Sequence, residues 1–482
     1  MNRPSASRIA RVTLSILVGL LLAAVALAIG YAVGDRLLSP GWQDAIRFSV
    51  LGLVIVVILM NPLSGLLLWI ILEPFTRFWY LNIRMPPGIP DLSLARFSAA
   101  LLTAILVAQL AAGRRRLRRF GATELCMIAF AILVMPATVA GLDGLSRSGQ
   151  VVLDKFLTPY LVFVLAKNLY EDKTGVDAYV GAAIVIGLYL CFMVFYEHLT
   201  GQPLFYLFGR TTTYSRSLRK IVSLLGNPLF LGTIVAMVVP LILYKLIRTA
   251  PGLARAFYGG AFVAAMAGNF LCYNRGAWLA LGAGLFVMLL VGKEYRKILF
   301  PVIIVALILG VAYWELISGS AVITERLTNV NSLRFRLDML EISVRILKDH
   351  LLFGVGVESF SYYYLLYGGR WETMAFDVPM PHNTYILVLV TTGLLAFTPY
   401  LLAFLSLLGE MLGGIFRSRK DSRVDGSLAV AGLGVVVVYM VAAVSADLYV
   451  STFTTLVMFM ITGGIVGYLS TRYFHAPAGP AS

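Results

Sequence analysis

The chain has 482 residues, 59% of them hydrophobic and only 13% charged, with a mean hydropathy of +0.86. A soluble domain carries about a quarter charged residues, so this composition excludes a soluble enzyme and makes lipid the natural solvent. The formal charge of +15 would suit nucleic acid, but the basic residues are scattered over short links between apolar runs. Membrane lipids with anionic headgroups are therefore the expected neighbours, and nucleic acid is not.

Apolar stretches near the roughly 18 to 20 residues that cross a hydrocarbon core fall at 12–33, 46–60, 63–80, 94–112, 122–141, 151–167, 178–197, 226–247, 256–273, 276–291, 298–316, 384–408, 428–446 and 449–470. The expected fold class is an all-α polytopic membrane protein with about 12–14 transmembrane helices. Val12–Val33 is flanked by Arg3, Arg8 and Arg11, but its apolar run is too long for a signal-peptide core and reads as the first span. Phe48–Leu72 is either one kinked helix or two short ones broken at Asn61–Pro62.

Charge decides between these. With the N-terminus in the cytoplasm and two helices, or a re-entrant pair, over 46–80, the cytoplasmic links hold Arg114, Arg115, Arg116, Arg118, Arg119, Lys173, Lys245, Arg248, Arg255, Lys293, Arg296, Lys297, Arg417, Arg419, Lys420 and Arg423. That is the positive-inside pattern, and Pro62 then opens a helix, where its missing N–H costs little. Both termini are expected in the cytoplasm. His198–Leu225, Tyr273–Gly276 and the long loop Ile317–Pro381 fall outside it. The chain divides into an N-terminal transmembrane bundle (1–316), the long loop (317–383) and C-terminal transmembrane helices (384–482). Cys126, Cys191 and Cys272 sit inside apolar segments and read as packing residues, with no disulfide framework.

The expected outer face carries a cationic surplus: Arg210, Arg216, Arg219, Lys220, Arg275, Arg326, Arg334, Arg336, Arg345, Lys348 and Arg370. A translocated loop is partly exempt from the charge rule, so a solvated surface accounts for many of them. Arg275 is different, because Asn274-Arg275-Gly276-Ala277-Trp278 lies between two apolar runs, where a cation needs a partner or a ligand. Gly276 permits close backbone approach, and the helix that follows aims its first amides at any anion Arg275 holds.

In the long loop, Ser332–His350 reads as an amphipathic helix lying on the membrane domain. Leu333, Leu337, Leu340, Val344 and Leu347 share one face, with Arg334, Asp338, Glu341, Arg345 and Lys348 opposite. Arg336 fits neither face, which makes it a ligand candidate. Leu351-Leu352-Phe353-Gly354-Val355-Gly356 ends the helix in a glycine turn. Pro381-His382-Asn383 sets a histidine, suited to proton transfer near neutral pH, at a helix mouth, with Asn383 or its own backbone able to fix the tautomer. His198, His350 and His475 lack that setting. No H-E-x-x-H, C-x-x-C, G-x-x-x-x-G-K-[ST] or D-x-D occurs, so neither a catalytic metal nor a cofactor is expected. A secondary transporter is the competing class. It calls for buried mid-membrane carboxylates, of which the sequence offers few: Glu73, next to Pro74 and able to pair with Arg77, and Asp447 at a turn.

The Asn274–Trp278 turn, the stretch from Arg336 through Asp349-His350-Leu351-Leu352-Phe353-Gly354-Val355-Gly356, and Pro381-His382-Asn383-Thr384-Tyr385 leading into Thr392-Gly393-Leu394 together resemble the O-antigen ligase and Wzy polymerase superfamily of bacterial membrane glycosyltransferases. The similarity covers roughly residues 200–410, with Asn274 where serine is common and Leu352 where proline is common. The resemblance implies a GT-C-like membrane fold in the bacterial cytoplasmic (inner) membrane, with the active site facing the periplasm. It implies transfer of a glycan from an undecaprenyl-pyrophosphate donor to another glycan (a polymerase) or to lipid A-core (a ligase). It also implies that Arg275 and Arg336, helped by Arg216 or Arg210, bind the pyrophosphate. His382 would relieve the acceptor hydroxyl of its proton, giving inversion in one displacement without metal.

Overall fold

The computed structural model describes residues 42–76, 91, 93–170, 172–205, 221, 223–313, 331–369 and 380–471. The expected span at 12–33, Arg77, Arg210, Arg216, Arg219, Lys220, Arg326, Arg370 and His475 lie outside the described residues. Among the described residues all regular structure is helical, and eight helices are long and apolar enough to cross a membrane. The chain is a multi-pass, all-α membrane protein.

The first two helices, α1 (Trp42–Met60) and α2 (Pro62–Leu72), settle how 48–72 is broken. The Asn61 side chain accepts the N–H groups of Leu63 at 3.1 Å and Ser64 at 3.3 Å, and Pro62 opens α2. A Cβ on Gly65 would lie 2.6 Å from the Cα of Ile58, whereas a straight helix separates positions seven apart by about 10 Å. The chain therefore folds back at Asn61. With 11 residues, α2 is about 17 Å long, short of a hydrocarbon core of about 30 Å.

The bundle continues with α3 (Leu94–Ala111), α4 (Ala122–Leu133) extended by α5 (Met135–Val139), and α6 (Leu145–Val152) joined through one π-helical turn, Leu153–Leu157, to α7 (Thr158–Asn168). After α8 (Lys173–Thr200) come α9 (Pro228–Arg248), α10 (Leu253–Leu271), α11 (Arg275–Val291) and α12 (Lys293–Ala312). The long loop contributes α13 (Asn331–His350) and α14 (Phe360–Leu366) before α15 (Thr384–Ser418), α16 (Gly426–Ser445) and α17 (Thr452–Thr471) close the bundle. Almost wholly enclosed, α17 lies against α7, where Gly463 meets Phe163 and Ala166. Helix α16 packs on α11 through Gly284 against Val438 and Gly434. Such small residues bring backbones together where lipid provides no hydrophobic drive between helices.

The basic links gather at one end. Arg118 donates to the carbonyls of Lys167 and Tyr170, and Arg115 to that of Asn168 at 2.7 Å, so these arginines cap the C-terminus of α7. Lys167 pairs with the buried Glu124 and donates to the Arg119 carbonyl at 3.0 Å. Asp425 takes Arg248 at 2.8 Å and Lys173 at 3.5 Å. Of the few carboxylates expected to be buried Asp447 is so, and Glu124 and Glu197, which the sequence did not single out, are buried as well. Glu124 and Glu197 sit near the ends of their helices, and Asp447 in the link between two.

At the other end, α15 breaks at Gly393, whose φ of 73° and ψ of 172° are not helical. The backbone groups freed by the break are taken up by the segment after α13. The N–H groups of Val355 and Gly356 donate to the carbonyls of Val390 and Thr391 at 3.0 Å each, and those of Leu394 and Leu395 donate to Leu351 and Leu352 at 2.8 and 3.2 Å. Irregular backbone persists inside a membrane domain only when satisfied by protein in this way. A Cβ on Gly354 would lie 2.5 Å from the Gly393 nitrogen, and one on Gly393 would lie 2.3 Å from the Leu352 oxygen, with φ positive at both.

Helix α13 forms as expected, but its packed face is not the one read from sequence. Met339, Ile342, Ser343 and Ile346 are buried, whereas Leu337, Leu340 and Val344 are exposed. Beside lipid an apolar stripe need not face protein, so hydrophobicity alone does not mark the packed side.

Candidate functional site

Two turns at the same end of the bundle are built alike. In each, a non-glycine residue with positive φ (Tyr273 at 49°, His382 at 49°) precedes an extended asparagine whose side chain caps the next helix. Asn274 accepts the Ala277 N–H at 3.1 Å, and Asn383 that of Ile386 at 3.1 Å. Serine and asparagine are both strong N-caps, so an asparagine at 274 performs the task a serine would.

The short link between α16 and α17 draws both turns together. Asp447 accepts the backbone N–H of His382 at 3.1 Å and of Asn383 at 3.0 Å, and its Oδ2 lies 3.3 Å from His382 Nδ1. Thr384 adds a clamp, donating to the Ala446 carbonyl through N–H and hydroxyl and accepting the Leu448 N–H. The left-handed backbone at His382 is thus over-determined by its neighbours, as strained residues at working sites require. Asp447 reaches the His382 ring at Nδ1, a partner that the neighbouring sequence does not supply. Asp447 is buried while about a third of the His382 side chain is accessible, 5% against 32%. Phe335 of α13 stands against the imidazole, ring centroids 5.9 Å apart.

Ser445, two residues before Asp447, meets Arg336 and the glycine that follows Arg275. A Cβ on Gly276 would lie 2.1 Å from Ser445 Oγ, so the α11 N-terminus touches the end of α16. Arg336 Nη2 reaches the Ser445 carbonyl at 3.4 Å. Partial desolvation, and then the nearby Arg275 charge, hold the Arg336 guanidinium below its ordinary pKa, with Asp447 acting the other way; it stays a cation at any physiological pH. Arg275, Arg336 and His382, well separated in sequence, are therefore brought around one link, Ser445–Tyr449. Arg210 and Arg216 lie outside the described residues.

From sequence, Asp447 stood out only as a carboxylate at a turn, weighed for a transporter and not for this site. Its usable signal was a lone carboxylate between two apolar runs, which needs a partner there. Lys155, Glu358 and Tyr449 carried no signal at all, yet Lys155 Nζ lies 3.5 Å from Glu358 Oε1 and 5.4 Å from the centre of the Tyr449 ring. Their proximity depends on tertiary packing of the π turn, which no local pattern encodes. Among the described residues no three His, Cys, Asp or Glu side chains gather as metal ligands.

A set of two guanidinium groups and a carboxylate-held imidazole at a membrane-protein mouth can bind a di-anion and move one proton. Residues 260–401 match the family model described as O-antigen ligase, a region that contains Arg275, Arg336 and His382 and stops short of Asp447. No curated protein matches the chain.

Proposed function

Residues 260–401 match the O-antigen ligase family model, and we propose that this chain is a glycan-transferring membrane enzyme of that family that moves a glycan from undecaprenyl pyrophosphate to a sugar hydroxyl at the periplasmic face of the inner membrane. The convergence of Arg275, Arg336 and the His382–Asp447 pair on one link carries this reading.

The pyrophosphate leaving group is stable as an anion, so its departure needs charge stabilisation more than a general acid. Arg275 and Arg336 supply it with planar, forked donors beside the first amides of α11. With Nδ1 turned to the Asp447 carboxylate at 3.3 Å, His382 is protonated at Nδ1 and carries its basic lone pair on Nε2. The acceptor oxygen attacks the anomeric carbon, the carbon–oxygen bond to phosphate breaks with its electron pair, and the hydroxyl proton passes to Nε2. One displacement inverts the anomeric centre, no metal takes part, and buried Asp447 balances the imidazolium that forms.

The broken helix α15 is the feature a transporter would share. Here Val355 and Gly356 occupy the carbonyls at the break, so that backbone is engaged by the protein's own loop rather than offered to an ion.

Extension of a carrier-linked chain is our first reading for the acceptor. Ligation to lipid A-core is the second, favoured by the family's description. Purified protein given carrier-linked repeat units alone should build a ladder of products. Transfer only after lipid A-core is added establishes the ligase, and no transfer under either condition overturns the reading. EDTA should not inhibit.

A further inference from the structure

Beyond the cations and His382, the same mouth holds a polar pair with no part in the chemistry above. Tyr449 lies two residues past Asp447. Lys155 sits over the ring of Tyr449 and 3.5 Å from Glu358. The pyrophosphate cations meet the link at Ser445 and this pair meets it at Tyr449, so His382–Asp447 stands between them in the chain of contacts.

Three observations distinguish this pair from an ordinary staple. Both side chains keep about a fifth of their surface accessible, 19% and 21%, and their contact is loose. Glu358 holds a φ of 64°, strain that a glycine would avoid and that recurs where function over-determines the backbone. Lys155 rides on the π turn Leu153–Leu157, a local re-aiming of side chains frequent at working sites. Its neighbour Asp154 is turned away and fixed by a two-bond fork from Arg96, 2.7 and 2.6 Å. A carboxylate beside an ammonium, one accepting and the other donating, matches adjacent hydroxyls on a sugar ring.

We propose that Lys155 and Glu358 form the acceptor-sugar subsite, gripping hydroxyls next to the one that attacks and so setting acceptor specificity. The proposal rests on the glycan-transfer reading. It is tested with carrier-linked repeat units as donor and, as acceptor, oligosaccharide fragments released by mild acid from the glycan of the cells that make this protein. Glu358→Gln and Lys155→Met should each raise the acceptor KM about tenfold or more, the weight of one charge-assisted hydrogen bond, while the donor KM stays within about twofold. The double swap Lys155→Glu with Glu358→Lys should recover thermal stability but not acceptor KM. Recovery of acceptor KM by the swap, or equal shifts in both KM values, would mark a structural staple and overturn the subsite. Calorimetric binding of the fragments separates the two claims: binding lost in Glu358→Gln without any transfer by the wild type keeps the subsite and removes the transfer reading, and no binding by the wild type removes the subsite.

Discussion

At His382 the decisive contact is with a residue 65 positions away. If Asp447 fixes the tautomer, Asp447→Asn presents an amide where a carboxylate accepted Nδ1–H. Turnover should fall about 10²- to 10⁴-fold with carrier binding retained. His382→Ala should fall in the same range, and combining the two should cost little more than either, because residues that act as a unit are not additive. Additive losses in that cycle would show Asp447 acting independently of the ring. Arg275→Lys should recover only part of the carrier affinity lost in Arg275→Ala, since the ammonium keeps the charge but not the fork. The histidine and both arginines were legible in the sequence because each broke a rule: a cation between apolar runs, an arginine on neither helix face, a histidine after proline at a helix mouth. Asp447 broke one too, yet its partner could not be named without the packing of α16 and α17.

The elements around the site leave no slack at their glycines. Gly276 is pressed on Ser445 Oγ, and a methyl added to it would also stand 3.1 Å from Ser445 Cβ. Gly276→Ala should therefore destabilise by about 1–3 kcal/mol, and Ser445→Ala in the same chain should restore part of it, read as recovery of melting temperature in detergent. No recovery would mean that the backbone, rather than the hydroxyl, sets the spacing. Helix existence was easy to read, since apolar length is local. The rotation of α13 was not, because Leu337, Leu340 and Val344 make a stripe that serves lipid as well as protein. Nor was the joining of Leu351–Gly356 to Val390–Leu395, which depends on hydrogen bonds between segments about 40 residues apart.

Over the whole molecule, polarity is divided between two ends, one carrying the Arg115, Arg118, Lys167 and Asp425 contacts and the other the His382 mouth. The charge rule assigns the first to the cytoplasm. With the native cysteines replaced, Tyr362→Cys should react with a membrane-impermeant thiol reagent from the periplasmic side, and Arg116→Cys only after the inner membrane is opened. The reverse pattern would invert the topology and remove the periplasmic chemistry with it. The backbone ladder between the long loop and the broken helix has a consequence for engineering. Exchanging that loop between relatives to change what they glycosylate should fail when the graft ends at a helix boundary, because donor and recipient backbones would then have to match at Gly354 and Gly393 by chance. A functional chimera should take residues 351–395 as a single cassette.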